Sequence, residues 1–302
     1  MRQEAYFCTV KELDELGKNN IPRQLISHTH LIYSSPATLA FNSPGAEGFG
    51  VKRAGLAVPD SVMLIVSPGC CGRNTSVLSS MRAYQDRFYY LLMDETDIVT
   101  GRHLKKIPKA VAEICEGLKK KPSVVMICIT CVDALLGTDM ERVCHKAEEY
   151  AGVPVRPCYM YALTREGRKP PMVHVRQSVY SLLEPKKKKG NVVNLLGYFS
   201  PLTDDCELYD LLHGAGVKTI HEISRCKDYA QYQTMSEANF NLVLHPEARF
   251  AAEDFHDRLK IPYIELRRLY QIDKIASQYR ALAAALGVEF EDEIPRKAAE
   301  EA

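Results

Sequence analysis

The sequence lacks any apolar run long enough to cross a membrane. Its longest runs, such as residues 62–66 and 124–129, have the length of a β-strand, whereas a membrane-spanning helix needs about 20 apolar residues. The N-terminus contains an early acidic residue and no apolar stretch of the length that a signal peptide requires. The 39 basic and 38 acidic residues leave a net charge of +1, which gives no overall field for nucleic acid. We therefore expect a cytoplasmic protein with neither a membrane nor a nucleic-acid partner.

Several catalytic signatures are also absent. The chain has no Walker A pattern, no G-x-G-x-x-G after a strand, no H-E-x-x-H and no G-x-S-x-G elbow. Its ten cysteines include one C-x-x-C pair, Cys128 and Cys131, but not the second pair that a zinc ribbon requires. We therefore expect that this chain does not bind ATP itself and that its cysteines serve in packing, metal ligation or catalysis.

Short apolar runs alternate with amphipathic stretches from residue 60 onwards. Strands are predicted at residues 62–66, 88–93 and 124–129, and the helices between and after them at residues 71–84, 104–119 and 139–150. Unbroken apolar strands separated by helices are typical of a parallel sheet that is covered on both faces. The pattern restarts after four consecutive lysines at residues 186–189. The sequence thus predicts an α/β fold with two Rossmann-like lobes, whose mostly parallel sheets are flanked by helices.

The four lysines mark the predicted boundary between the two lobes, because a run of like charges is typical of a solvated linker. Residues 1–40 are predicted to be a lead-in segment and residues 41–185 the first α/β lobe, which carries the cysteine turns. Residues 190–288 are predicted to form the second lobe. An acidic tail at residues 289–302 is expected to end the chain.

Two sulfur-bearing turns directly follow predicted strands. Cys70 and Cys71 lie in a glycine-containing turn after the first strand, and Cys131 follows the strand that ends at Ile129. The carboxyl ends of parallel strands face one crevice, and a helix start lowers the pKa of a thiol there. Each of these cysteines, taken singly, is best explained as a small buried residue in a turn. Taken together, Cys70, Cys71 and Cys131 indicate a thiolate ligand set, which favours an iron–sulfur cluster over zinc or magnesium.

The other cysteines are expected to be structural. Cys128 lies within an apolar strand, so we expect a core role, with metal ligation as a secondary role. Packing or partial exposure is the interpretation for the remaining six, which are Cys8, Cys115, Cys144, Cys158, Cys206 and Cys226.

Two motifs resemble a known family. Asp-Ile-Val-Thr-Gly at residues 97–101 and Thr-Cys-Val-Asp-Ala-Leu-Leu-Gly-Thr-Asp at residues 130–139 are similar to motifs of the nitrogenase component 1-like oxidoreductases. That family includes the nitrogenase molybdenum–iron protein, dark-operative protochlorophyllide reductase and a reductive cyclase of nickel-tetrapyrrole synthesis. The turn at residues 67–72 resembles the family's Gly-x-x-Gly-Cys turn. Softer matches follow in the second lobe at residues 192–197, 205–212 and 260–264.

The resemblance implies a cofactor, partners and a reaction. The cofactor would be a [4Fe-4S] or larger double-cubane cluster shared at a dimer interface. A homodimer is favoured because Cys70 stands next to Cys71, and a heteromer is left open. An ATP-dependent iron–sulfur reductase would supply low-potential electrons for the reduction of a small unsaturated or tetrapyrrole-type substrate. Two alternatives are a non-catalytic cluster scaffold or maturation protein and a metal-free α/β binding module.

The chain also departs from the family pattern. Family members usually have a further cluster cysteine about 25 residues before the glycine-rich turn, but residues 41–46 contain none. The substitutes that the sequence offers are Cys70, beside the expected Cys71, and the oxygen of Ser43. Pro246 stands where the nitrogenase subunit with the catalytic metal cluster has a cysteine, next to His245. With two lobes where family chains often have three, dinitrogen reduction is not expected. Arg73, Asn74 and Tyr198 are candidate cleft residues, with structural or capping roles as the alternative.

Overall fold

The computed structural model describes residues 9–17, 19–20, 44–69, 79, 81–160 and 169–289. The chain divides into two compact units, Met1–Asn42 and Ser43–Ala302. In the first unit, helix α1 (Val10–Leu16) begins at a capping box in which Thr9 accepts from the backbone N–H of Glu12 and the Glu12 carboxylate accepts from Thr9. Such reciprocal bonds satisfy amides that the helix itself leaves unpaired.

The second unit contains two parallel sheets of four strands each. The first sheet has the order β2-β1-β3-β4, with β1 (Val62–Ser67), β2 (Phe88–Leu92), β3 (Val125–Ile129) and β4 (Val155–Tyr159). Its helices are α2 (Pro44–Gly55), α3 (Glu95–Thr100), α4 (His103–Gly117), α5 (Cys131–Leu135), α6 (Met140–Ala151) and α7 (Pro171–Tyr180). Every residue of β1 and β3 is buried, as expected for central strands covered on both faces.

The second sheet repeats the arrangement of the first. Its order is β6-β5-β7-β8, with β5 (Val192–Leu196), β6 (Thr219–His221), β7 (Phe240–Val243) and β8 (Tyr263–Glu265). The accompanying helices are α8 (Glu207–Gly214), α9 (Tyr229–Gln233), α10 (Arg249–Leu259) and α11 (Ile272–Leu286). The prediction of an α/β fold with two parallel sheets flanked by helices is confirmed, whereas the proposed lobe boundaries stay predictions.

One hydrophobic core joins the two sheets. It includes Met63 and Cys128 from the first sheet and Leu196 and Val243 from the second. Helix α7 contributes Tyr180, whose ring packs edge-on against Phe255 of α10 at a centroid distance of 5.3 Å. The two sheets are therefore connected by buried apolar contacts, which hold their carboxyl edges in a fixed relation.

The sequence-based prediction missed the helices α2, α3, α5, α7 and α9, whereas it placed the strands β1, β2 and β3 within one residue of their observed ends. The predicted helices 104–119 and 139–150 correspond to α4 and α6. The start of α7 carries a signal that could have identified it, because Pro171 occupies the first helical turn, a position that proline favours. The helix predicted at residues 71–84 falls largely outside the described residues, and the part of it at Arg82–Tyr84 is a short 3-10 turn.

Candidate functional site

The two cysteine turns begin at the same edge of the first sheet. Strands β1 and β3 are parallel neighbours, and Val66 is paired with Ile129 at their carboxyl ends. Cys131 is the first residue of α5, two positions beyond that pair. The turn of Cys70 and Cys71 starts at the matching end of β1, after Gly69. Cys70, Cys71 and Ser43, and likewise Arg73 and Asn74, lie outside the described residues, and for Cys131 only the backbone is described.

Three buried polar atoms at this edge have no hydrogen-bond partner in the described structure. They are Oγ of Ser67, Oγ1 of Thr130 and Oδ2 of Asp133, and all three side chains are almost fully buried. Buried polar groups rarely remain unpaired without a functional reason. The two hydroxyls can donate to sulfur, and hydrogen bonds to the sulfurs of an iron–sulfur cluster tune its potential. The residues at this edge therefore fit a thiolate-bound cluster. Within the described ranges themselves, no three His, Cys, Asp or Glu side chains form a metal-binding group.

A buried histidine holds the cysteine-bearing helix. Nε2 of His103 lies 2.8 Å from Oδ1 of Asp133, and Nδ1 lies 3.0 Å from the carbonyl oxygen of Asp97. Since a carbonyl can only accept, Nδ1 carries a hydrogen. The contact with Asp133 therefore needs a second hydrogen, on either partner. The hydroxyl of Thr138 also donates to Oδ1 of Asp133. This pair connects the start of α4 to α5, two residues beyond Cys131.

Asp97 anchors the other end of this connection. Its carboxylate accepts from Nε of Arg102 at 2.7 Å and from Nζ of Lys106 at 2.7 Å. The side chain of Asp94 accepts from the Asp97 amide, which starts α3 with a capping box. The donors Lys106 and Arg102 lower the pKa of Asp97 to about 2. The carbonyl that accepts from Nδ1 of His103 thus belongs to Asp97, and charged hydrogen bonds to the Asp97 carboxylate hold that residue in place.

The cysteines with described side chains belong to the protein interior. Cys128 is fully buried in the hydrophobic core and is paired in register with Cys158 of the neighbouring strand β4. Burial raises the pKa of the Cys158 thiol and of the Cys144 thiol, so neither forms the thiolate that metal ligation requires. Cys115, Cys206 and Cys226 are half-buried. Cys8 lies outside the described residues.

A second polar site lies at the carboxyl edge of the second sheet. Gly197, directly after β5, has a φ of 138°, and a Cβ atom there would lie 2.7 Å from the backbone nitrogen of His245. Only glycine permits this close approach of two turns. The ring of Tyr198 packs edge-on against His245 with 5.7 Å between centroids. The turns after β5 and β7 thus bring Tyr198 and His245 together.

Arg176 of α7 supports this second site from within the protein. Its Nε and Nη2 both donate to the carbonyl oxygen of Gly197, at 3.1 and 2.7 Å, and Nη1 donates to Glu247 at 2.7 Å. Burial lowers the pKa of this guanidinium, although the Glu247 carboxylate opposes the shift. Sequence reasoning missed both Arg176 and the His103–Asp133 pair, because each joins residues that are far apart in the chain.

These features define a class of protein. It is a parallel α/β chain that has a cysteine turn at the carboxyl edge of its first sheet and a polar site at the carboxyl edge of its second sheet. Residues 47–302 match the family model described as nitrogenase component 1 type oxidoreductase. The chain belongs to this family, as the motif resemblance predicted. Membership implies a metal–sulfur cluster, in a protein whose relatives act in nitrogenase-like oxidoreduction or in cofactor biosynthesis.

Curated relatives are identical to the chain at about a quarter of the aligned positions. It is 27% identical over 239 residues to the nitrogenase iron-molybdenum cofactor biosynthesis protein NifE of Nostoc sp., which covers 76% of the chain and 49% of the relative. The NifE protein of Klebsiella pneumoniae is 27% identical over 266 residues, or 81% of the chain and 58% of the relative. The chain therefore spans about half the length of these relatives.

Solved structures support the fold. The chain matches a structure titled nitrogenase Cp1 at pH 6.5 with a TM-score of 0.66 and 18% identity, over 95% of this chain and 65% of that one. A second match, nitrogenase Cp1 at pH 5, has a TM-score of 0.57 and 22% identity, over 82% of this chain and 53% of that one. Among the described residues, none of the helices is long and apolar enough to span a bilayer.

Proposed function

We propose that this chain binds an iron–sulfur cluster through Cys71 and Cys131, with Cys70 as a third thiolate, and works as a nitrogenase-like reductase component. It would receive low-potential electrons from an ATP-dependent iron–sulfur reductase and pass them to a small unsaturated or tetrapyrrole-type substrate. The observation that carries the proposal is the start of both cysteine turns at the ends of two paired parallel strands. Family membership adds the expectation of a metal–sulfur cluster.

The surrounding residues have supporting roles in this proposal. The bound cluster would supply one-electron transfer. His103 and Asp133 fix the start of α5, so that the Cys131 backbone stays in place when the cluster is absent. The buried hydroxyls of Ser67 and Thr130, which have no other hydrogen-bond partner among the described residues, would donate hydrogen bonds to sulfur. Cys128 packs in the core, and its ligand role stays secondary, as does that of Ser43.

Exposed apolar side chains at and after the carboxyl ends of β2 and β3 support a protein partner at this edge. Val99 of α3 is 85% exposed and Leu135 of α5 is 72% exposed, and Leu92 and Leu136 are also exposed. Apolar side chains gathered at one edge favour an interaction surface over bulk solvent. We propose a symmetric homodimer here, in which two or three thiolates from each chain bind one [4Fe-4S] or larger double-cubane cluster. A heteromer is the alternative that a mass measurement in solution distinguishes.

The proposal is tested by iron and acid-labile sulfide per chain after purification without oxygen, because a cytoplasmic cluster protein of this type is expected to be sensitive to oxygen. We expect the wild type to contain both elements and Cys71→Ala and Cys131→Ala to lose most of them. The control is Cys115→Ala, which removes a half-buried thiol on α4 and should leave the iron content unchanged. Full iron in both ligand variants would show that the site assignment is wrong.

A second candidate is a non-catalytic scaffold on which a cluster is held or matured. It is favoured by the curated relatives, which are cofactor biosynthesis proteins by name, and by Pro246, which supplies no thiol beside His245. A scaffold should pass its cluster to an acceptor protein when the two are mixed. A reductase component should keep its cluster and turn over substrate when the reductase partner and ATP are added. Colourless, iron-free wild-type protein would instead favour the metal-free binding module.

A further inference from the structure

The carboxyl edge of the second sheet encloses a cavity of about 340 Å³. It is formed where β5, β7 and β8 end, and its walls include Tyr198, His245, Glu265, Arg267 and Arg268. Crevices at the carboxyl ends of parallel strands are the usual ligand sites of open α/β sheets. The volume suits a small molecule or one charged arm of a larger one.

The charge at the cavity is positive. Glu265 is paired with Arg249 at 3.2 Å, and Glu247 with Arg176 at 2.7 Å. Arg267 and Arg268 take part in no ion pair within the described structure. Glu265 shares Arg249 with Glu253, which lies 3.4 Å from the same Nε atom. Neither carboxylate pairs with Arg267 or Arg268, so these two guanidinium groups are left without an ion-pair partner among the described residues. A guanidinium fork matches the oxygens of a carboxylate or phosphate in two parallel hydrogen bonds.

The backbone around these arginines is fixed. Oε1 of Gln278 on α11 accepts from the Arg267 amide at 2.8 Å, and its Nε2 donates to the Arg267 carbonyl at 3.0 Å. The Leu266 amide donates to the Val243 carbonyl at 2.9 Å. The segment that carries the two arginines is therefore held by both β7 and α11. A fixed backbone reduces the entropy that is lost when side chains on it bind a ligand.

His245 adds a neutral donor to this cavity. The backbone N–H of Glu247 donates to Nδ1 of His245 at 3.3 Å, which leaves the hydrogen of a neutral imidazole on Nε2. Burial lowers the pKa of His245, and Arg176 and Arg268 lower it further against the opposing Glu247 carboxylate. The ring is therefore neutral at pH 7 and can donate through Nε2. The close approach at Gly197 holds it at the cavity wall.

We propose that this cavity is an oxyanion site, in which Arg267, Arg268 and Nε2–H of His245 bind the carboxylate or phosphate group of a small molecule. The site goes beyond the proposed function, because anion binding at the second sheet does not require a cluster at the first. Its chemistry predicts that ligands of this protein carry at least one such group.

Isothermal titration calorimetry with the full chain, purified without oxygen, tests the proposal. The probes are succinate, inorganic phosphate and the neutral analogue succinamide, in a buffer of low ionic strength. Arg267→Gln and Arg268→Gln each remove one cation from the cavity. Arg280→Gln is the matched control, since Arg280 is exposed on α11 and does not line the cavity. Iron per chain is measured on every sample, so that a missing cluster is recognised separately from missing anion binding.

We expect succinate or phosphate to bind the wild type and succinamide not to bind. Each cavity variant should weaken binding about tenfold or more, the effect of losing a hydrogen bond to a charged group, and Arg280→Gln by less than about twofold. The tighter of the two anions identifies the group that the site prefers. The proposal is overturned if neither anion binds at millimolar concentration, or if Arg280→Gln weakens binding as much as the cavity variants do.

Discussion

Replacing His103 tests how the cysteine-bearing helix is held. The side chains of His103 and Asp133 are 1% and 0% exposed, and they meet at 2.8 Å. His103→Ala removes one of the two hydrogen-bond partners of Oδ1 of Asp133, whose Oδ2 already has no partner among the described residues. Leaving a buried charge without its partner costs about 3–5 kcal/mol. We expect His103→Ala to lower the free energy of unfolding by that amount.

The measurement is urea unfolding followed by far-UV circular dichroism at pH 7. Hydrogen exchange at the amides of β3 and β5 then shows which sheet has become less stable, and we expect the loss in β3. The double variant His103→Ala/Asp133→Ala removes the orphaned carboxylate as well. It should therefore be more stable than the sum of the two single changes predicts, with a coupling free energy of about 2 kcal/mol.

The chain provides a matched control for this experiment. His145 and Glu149 form the same type of pair at 3.4 Å on the surface of α6, where the histidine is 77% exposed. An exposed pair contributes about 0–1 kcal/mol, so His145→Ala should change stability little. If His103→Ala and His145→Ala have equal effects, or if the exchange of β3 is unchanged, then the buried pair does not hold α5 as we infer.

Three further predictions follow from the two sites. Gly197→Ala should destabilise the protein by about 1–3 kcal/mol through backbone strain, with the His245 ring signals shifted in NMR spectra. Arg176→Met leaves the buried Gly197 carbonyl and the half-buried Glu247 carboxylate without this partner, and urea unfolding should show a loss of about 1–3 kcal/mol. The lowered pKa of Asp97 contributes stability above its ordinary value of 3.8, and this is lost as the pH falls towards about 2. Asp97→Asn should remove that part of the acid transition, and an unchanged transition would contradict it.

The local sequence was sufficient for the strands and for the position of Cys131. Residues 62–66 and 125–129 are unbroken apolar runs, and such runs between helices are typical of buried parallel strands. Cys131 follows one of them directly, so its place at the carboxyl end is a consequence of chain order. The family motif at residues 130–139 directly follows β3, and the motif at residues 97–101 falls at the end of α3, so both are continuous in the sequence.

Helix α7 shows where the local signal was too weak. Its interior contains Arg176, Gln177 and Ser178 among the apolar residues, so the apolar pattern alone does not show which face is buried. Arg176 is buried only because the carbonyl of Gly197 and the carboxylate of Glu247 meet it inside the protein. Those partners are 21 and 71 residues away along the chain.

The sequence by itself determined the strands, part of the helices and the edge of the sheet at which Cys131 lies, because these follow from the spacing of apolar residues over short segments. Only the tertiary structure decided that β1 lies between β2 and β3, that His103 meets Asp133 and that two unpaired arginines line the cavity beside His245. Each of these depends on contacts between segments far apart in the chain. Such contacts depend on packing and on the pairing of buried charges, which leave no periodic pattern in the sequence.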